Sequence, residues 1–82
     1  MSMDEVPRLV RGAIARLDSA AGELDLDFST VYRLDTAALG AMEDLAAKAG
    51  EKRVAIVLRA VNVDVYRVLK LVKLAPRFGY RT

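Results

Sequence analysis

The 82-residue chain contains no histidine and no cysteine. Without histidine it lacks the usual general base, the usual partner of a nucleophilic serine and the commonest transition-metal ligand. Without cysteine it can form neither a disulfide bond nor a thiolate metal site, which fits a reducing compartment. We therefore expect no enzymatic activity, no cofactor and no metal site.

The chain also lacks a long apolar run and a targeting segment. No stretch approaches the roughly 18 to 20 apolar residues that a membrane-spanning helix requires. Residues 1–5 are acidic and do not have the basic start and apolar core of a secretory signal. A composition of 54% hydrophobic and 29% charged residues is typical of a globular chain. We expect a single domain over residues 1–82, located in the cytoplasm.

Charge is distributed unevenly along the sequence. Residues 1–50 hold 5 Lys and Arg against 9 Asp and Glu, a net charge of −4, whereas residues 51–82 hold 8 against 2, a net charge of +6. The overall net charge of +2 therefore conceals a dipolar molecule whose halves attract the opposite halves of another copy.

Three segments have the apolar spacing of helices. Residues 6–17 place apolar side chains at intervals of three and four, and residues 36–49 do the same, with Asp35 or Thr36 as N-cap and Gly50 as terminator. The third segment, 62–74, ends before Pro76. Its apolar residues occupy more than one stripe, which indicates two contact surfaces.

Two segments read as strands. Residues 23–28 alternate between apolar and acidic side chains, which predicts a strand with one solvent-exposed face. Residues 54–58 form a short β-branched apolar run, typical of a central strand covered on both faces. Residues 77–81 are either a short edge strand or a docked tail. Helices and strands that alternate in this order predict an α/β fold with parallel central strands flanked by helices.

The segment Asp27-Phe28-Ser29-Thr30, followed by Asp35-Thr36-Ala37-Ala38-Leu39-Gly40, resembles the STAS domain. In that family of anti-sigma factor antagonists and sulfate-transporter tails, a strand ends in Asp-Leu-Ser-Gly and a helix opens with Asp-Ser-Ser-Gly-Leu-Gly. The resemblance extends from Val6 to Phe78.

This resemblance implies that Thr36 occupies the position phosphorylated by a partner kinase that doubles as an anti-sigma factor. A phosphate there would lie at the positive end of the helix dipole. The alternative is that Thr36 serves only as an N-cap. Ala37 and Ala38 depart from the family pattern, in which Ser and Gly stand at these positions.

The function that the resemblance implies is a non-enzymatic protein-interaction module of the anti-sigma factor antagonist type. We predict a partner-binding surface around the start of the second helix, made of Leu34, Asp35, Thr36, Leu39 and Met42. A second hypothesis is the small structural subunit of a bacterial phospholipid-transport ABC complex, which contacts the ATPase and needs no phosphorylation.

Family members usually carry two further strands before the first helix, and relative to them the sequence is truncated at its N-terminus. An unpaired strand edge recruits another chain, so we expect a homo-oligomer, most simply a dimer, or a protein partner at that edge.

Two charged surfaces are further candidate sites. The acidic strand face of Glu23, Asp25 and Asp27 is either solvated and partner-facing or a cation site. A basic stripe either pairs with the acidic half of another copy or binds nucleic acid, nucleotide or lipid phosphates, the third functional hypothesis. The stripe comprises Arg67, Lys70, Lys73, Arg77 and Arg81.

Overall fold

The computed structural model describes residues 5–81. Helices and strands alternate in the order that the sequence pattern predicts, and the C-terminal tail forms a three-residue strand. Single 3₁₀ turns lie at Leu17–Ser19 and Ala75–Arg77. The main elements are α1 Glu5–Arg16, β1 Glu23–Asp27, α2 Thr36–Lys52, β2 Ala55–Arg59, α3 Val63–Leu71 and β3 Gly79–Arg81.

The three strands form one parallel sheet in the order β1-β2-β3, with β2 at the centre as predicted. Leu26 of β1 is in register with Leu58 of β2, and Leu58 is in register with Tyr80 of β3. These three side chains therefore share one face of the sheet.

All three helices pack on that face. Its strand residues Leu26, Ile56 and Leu58 belong to one buried cluster with the inward residues of the helices. The helix residues of the cluster are Val6, Val10 and Ala13 of α1, Ala38, Met42, Leu45, Ala46 and Ala49 of α2, and Val65 and Leu69 of α3.

The opposite face of the sheet carries no helix in the described part of the chain. Val57 on that face is only 8% exposed, yet it lies outside the core cluster. Arg81 reaches from β3 to β1, with ion pairs of 2.6 Å to Glu23 and 3.4 Å to Asp25. Because β2 lies between β1 and β3, this side chain spans β2 on the helix-free face. The sequence predicts that β2 is covered on both faces, and Ile56, Val57 and Leu58 are all buried, although no helix of residues 5–81 covers the Val57 side.

Helix α2 continues past Gly50, the predicted terminator, and ends at Lys52. Arg53 adopts the left-handed conformation, with φ 57°. The Val54 N–H then donates to the Ala49 carbonyl at 2.9 Å, and the Val54 side chain is buried. Burial of the apolar residue after the turn ends the helix here without glycine in the left-handed position.

Helix α3 ends in the same way, three residues before the predicted Leu74. Lys73 adopts a left-handed φ of 64°. The Leu74 N–H donates to the Leu69 carbonyl at 2.8 Å, and Leu74 is buried in the core. Pro76 lies in the following 3₁₀ turn and is not what stops the helix.

Candidate functional site

The candidate site lies at the carboxyl edge of the sheet, where β1 and β2 lead into helices α2 and α3. The β1–α2 loop, residues 28–35, is anchored at its start. Phe28 donates its N–H to the Arg59 carbonyl at 2.9 Å, and Val31 donates to the Phe28 carbonyl at 3.0 Å. The side chains of Phe28 and Val31 are both buried. The first half of the loop is therefore fixed to the core.

Asn62 connects this loop to the start of α3. Its side-chain oxygen accepts the Val65 N–H at 2.8 Å and so caps α3. Its side-chain nitrogen donates to the Val31 carbonyl at 2.9 Å. One amide thus satisfies a helix end and a loop carbonyl at once, which couples the two loops.

Helix α2 begins at Thr36, and Asp35 is its N-cap. The Asp35 carboxylate accepts the Ala38 N–H at 2.8 Å. Thr36 is exposed, and within residues 5–81 its hydroxyl has no hydrogen-bond partner. Of the two residues that the sequence offered as N-cap, the structure uses Asp35, so the Thr36 hydroxyl does not serve as the cap.

The other predicted contact residues divide between the surface and the core. Leu34 and Leu39 are partly buried against the core, and part of each side chain stays exposed to solvent. Met42 is 0% exposed, because it lies two turns into α2 on the inward face, and it belongs to the core. Including Met42 in the partner surface was wrong. Tyr32, an aromatic residue of this loop that is 70% exposed, was not among the predicted contact residues, because a loop position has no periodicity to mark it.

A groove of about 630 Å³ opens on the same edge, beside Asn62. Two of its walls are Tyr66 and Tyr80, whose rings meet edge to face with centroids 5.2 Å apart. The Tyr80 hydroxyl donates to the Ala75 carbonyl at 2.7 Å. Burial, and secondarily the nearby Tyr66, raises the pKa of Tyr80 to about 12. The remaining lining residues are Ala60, Val61, Asn62, Val63 and Arg81.

The acidic face of β1 is engaged within the molecule. Glu23 and Asp25 pair with Arg81, and Asp27 accepts the Ser29 N–H at 2.9 Å. The backbone hydrogen bond from Ser29 is the main cause that lowers the pKa of Asp27. These contacts give each carboxylate a protein partner.

The predicted basic stripe is not continuous. Arg67 and Lys70 are exposed on α3, Lys73 follows in the turn, and Arg77 is exposed at the end of the 3₁₀ turn. Arg81 lies instead on the helix-free face of the sheet, because Tyr80 occupies the helix side and neighbouring strand residues alternate. Including Arg81 in the stripe was wrong.

The fold and the site define a small α/β domain in which a helix with an exposed hydroxyl follows the first strand. A family model described as "Mlab, STAS domain" matches residues 1–76. The chain therefore belongs to the STAS family, whose domains generally mediate protein–protein interactions. No significant match was found among the curated proteins or the solved structures. Among the described residues, every helix is too short or too polar to cross a membrane.

Proposed function

We propose that this protein is a cytoplasmic, non-enzymatic interaction module of the anti-sigma factor antagonist type, switched by phosphorylation of Thr36. The partner surface comprises the exposed part of the β1–α2 loop and the start of α2. Its members are Tyr32, Leu34, Asp35, Thr36 and Leu39.

The free Thr36 hydroxyl at the N-terminus of a 17-residue helix carries this proposal. Because Asp35 already caps the helix, modification of Thr36 would leave the capping bond in place. The added charge of about −1.5 to −2 would meet the positive end of the helix dipole. The first turn of α2 contains no acidic side chain, and the adjacent Asp35 carboxylate is already held by the Ala38 N–H.

A phosphate at Thr36 would change the partner surface without unfolding it. Tyr32 and the exposed parts of Leu34 and Leu39 offer apolar contact next to the hydroxyl. A dianion beside apolar contacts repels an acidic partner surface and attracts one that bears arginine. The same site thus has two binding states that differ by one covalent group.

The test compares three variants as bait in native extracts. Thr36→Ala removes the hydroxyl and Thr36→Asp imitates the phosphate. Ala37→Asp, at an exposed position in the same helical turn, adds the same charge one residue away and is the matched control. We expect a partner whose recovery differs between Thr36→Ala and Thr36→Asp, while Ala37→Asp behaves like the unmodified chain. Equal recovery by all three baits would contradict the switch.

A second candidate is a structural subunit of a phospholipid-transport ABC complex, which binds its ATPase through the same surface without phosphorylation. Ala37 and Ala38 favour it, because they replace the Ser and Gly of the phosphorylated pattern and Ala38 is buried in the core. Partners that bind all three baits equally and include an ABC ATPase would support this candidate.

A further inference from the structure

The outer edge of β1 carries backbone groups without partners. The Gly22 carbonyl and the Phe28 N–H, at the two ends of the strand, each form a hydrogen bond of 2.9 Å to β2. Backbone groups alternate in direction along a strand, so even-numbered residues face β2 and the odd-numbered Glu23, Asp25 and Asp27 face away from it. Within residues 5–81, the N–H and C=O groups of these three residues have no hydrogen-bond partner. The backbone of another strand completes such a row.

A groove of about 360 Å³ lies beside this edge. Helix α1 packs against α2 with one side, and the groove separates its other side from β1. Leu9 and Leu26 form the apolar part of the lining, and Gly12 leaves open space, because a Cβ atom there would meet nothing within 4 Å. The other lining residues are Glu5, Arg8 and Arg16. A strand added to β1 would extend the side chains of its helix face into this groove.

The two faces of an added strand would meet different surroundings. Side chains on the helix face would contact Leu9, Leu24 and Leu26, and two of these, Leu9 and Leu24, are only partly buried in the chain alone. Apolar side chains fit there, whereas the positive charge of Arg16 disfavours lysine or arginine. Side chains on the helix-free face would lie opposite the acidic residues of β1, where lysine or arginine is the favourable partner.

A second copy does not meet these requirements at the same edge. Two β1 strands that bond edge to edge about a two-fold axis are antiparallel, and residues with outward backbone groups then lie opposite one another in every register. On β1 these are the three acidic residues, so each register sets carboxylate against carboxylate. Arg81 contacts Glu23 and Asp25, which offsets one of the three charges and leaves the row acidic. Like charges that lie directly opposite destabilise a strand pair.

We propose that the outer edge of β1 binds an extended segment of a protein partner, which joins the sheet as a fourth strand. In this segment apolar residues alternate with lysine or arginine. The apolar residues enter the groove between α1 and β1, and the basic residues pair with Glu23, Asp25 and Asp27 on the helix-free face. Thr36 takes no part in this contact, so the contact does not depend on the proposed phosphorylation.

Amide hydrogen exchange of the full chain, followed by NMR, measures the state of this edge residue by residue. In the chain alone, the N–H groups of Leu24 and Leu26 should exchange slowly and those of Glu23, Asp25 and Asp27 rapidly. The probe is an end-capped peptide of alternating lysine and valine. Titrated up to about 1 mM, it should slow exchange at Asp25 by at least about tenfold.

Two control peptides separate strand addition from simple charge attraction. A peptide of alternating glutamate and valine keeps the alternation and reverses the charge. A peptide with the same lysines and valines in two blocks keeps the charge and loses the alternation. We expect both to bind at least about tenfold more weakly than the probe.

Asp25→Lys tests the charge requirement. It sets lysine against lysine, so it should weaken binding of the probe by about tenfold and strengthen binding of the glutamate peptide. Glu51→Lys makes the same change of net charge at an exposed position on α2 and is the matched control. It should leave both affinities unchanged. Thermal unfolding of the two variants checks that each keeps the fold.

Gly12→Phe tests the groove. The ring would occupy the space that the apolar side chains of the peptide need, so binding of the probe should weaken by at least about tenfold. Gly40→Phe makes the same substitution at an exposed position on α2 and should leave binding unchanged. Neither change should destabilise the chain, because both glycines lie within helices, have open space around the Cβ position, and glycine is unfavourable there.

Several results would overturn the proposal. One is a probe that leaves exchange at Asp25 unchanged up to about 1 mM. Equal binding of the block peptide would reduce the contact to charge attraction, and equal binding by Gly12→Phe and Gly40→Phe would remove the groove from it. Exchange at Asp25 that slows as the chain alone is concentrated would show that a second copy covers the edge.

Discussion

Helices α2 and α3 begin at the same edge of the sheet, but their first turns differ. Both are capped by a side chain that accepts an N–H at 2.8 Å, Asp35 for α2 and Asn62 for α3. The first turn of α3 already holds Asp64, whereas that of α2 holds no acid and exposes the Thr36 hydroxyl. Each positive helix end therefore already has one carboxylate beside it, Asp35 for α2 and Asp64 for α3, and of the two only α2 also exposes a hydroxyl there.

The loops that lead to these helices differ as well. Residues 60–62 connect β2 to α3 in three residues, and Ala60 adopts a left-handed φ of 59° in this tight connection. Residues 28–35 connect β1 to α2 in eight and expose Tyr32. The β2–α3 loop holds the β1–α2 loop through the hydrogen bond from the Asn62 side chain to the Val31 carbonyl. The shorter loop therefore supports the longer and more exposed one.

The largest expected effect compares a buried residue of α2 with an exposed residue of the loop that precedes it. Met42→Ala should lower the free energy of unfolding by about 3 kcal/mol, because the residue is completely buried. Tyr32→Ala should change it by less than about 0.5 kcal/mol, because the side chain is mostly exposed. Urea denaturation measures both. A small effect of Met42→Ala would contradict its assignment to the core.

The next prediction compares the two caps. Asn62→Ala should cost about 2 kcal/mol, because it removes a cap and leaves the Val31 carbonyl without its partner. Asp35→Ala should cost about 1 kcal/mol, because it removes a cap alone. Urea denaturation of the two variants ranks them, and equal losses would mean that Asn62 does not couple the loops.

A smaller effect tests the electrostatic field at the N-terminus of α2. Thr36→Asp should stabilise the folded chain by about 0.5 kcal/mol at low ionic strength, since the carboxylate meets the positive helix end. The gain should shrink as salt is added. Thr36→Asn has nearly the same shape without the charge and is the control. A destabilised Thr36→Asp variant would contradict a favourable field at this position.

The last prediction concerns a pH-dependent effect in the groove beside α3. The pKa of Tyr80 is raised from 10.0 to about 12 in the folded chain, so its contribution to stability is complete below pH 10 and is lost between pH 10 and 12. Wild type should therefore lose more stability than Tyr80→Phe over this interval. Parallel stability curves for the two proteins would show that the Tyr80 hydroxyl is not partly desolvated in the folded chain.

The order of elements, the parallel sheet and the start of α2 followed from the sequence, because apolar periodicity reports which faces are buried. Periodicity does not report how a helix ends when the closing residue is not glycine. Arg53 and Lys73 both adopt left-handed conformations that are held by burial of the residue that follows, a tertiary effect that no local pattern shows.

The candidate site was predictable only in part. Asp35 and Thr36 were identified from the motif, but the assignment of the cap to Asp35 depends on backbone geometry. Met42 was misplaced because helical spacing shows that a residue belongs to a stripe but not which neighbours cover that stripe. The Tyr66–Tyr80 contact joins residues on two elements, α3 and β3, whose proximity only the fold establishes.

Tandem mass spectrometry of the chain isolated from its native cells, across growth conditions, is the most direct test of the switch at α2. The proposed function predicts a phosphate on Thr36 whose occupancy changes between conditions and disappears in Thr36→Ala. A chain that never carries phosphate, or carries it only on Ser29 or Thr30, would contradict it.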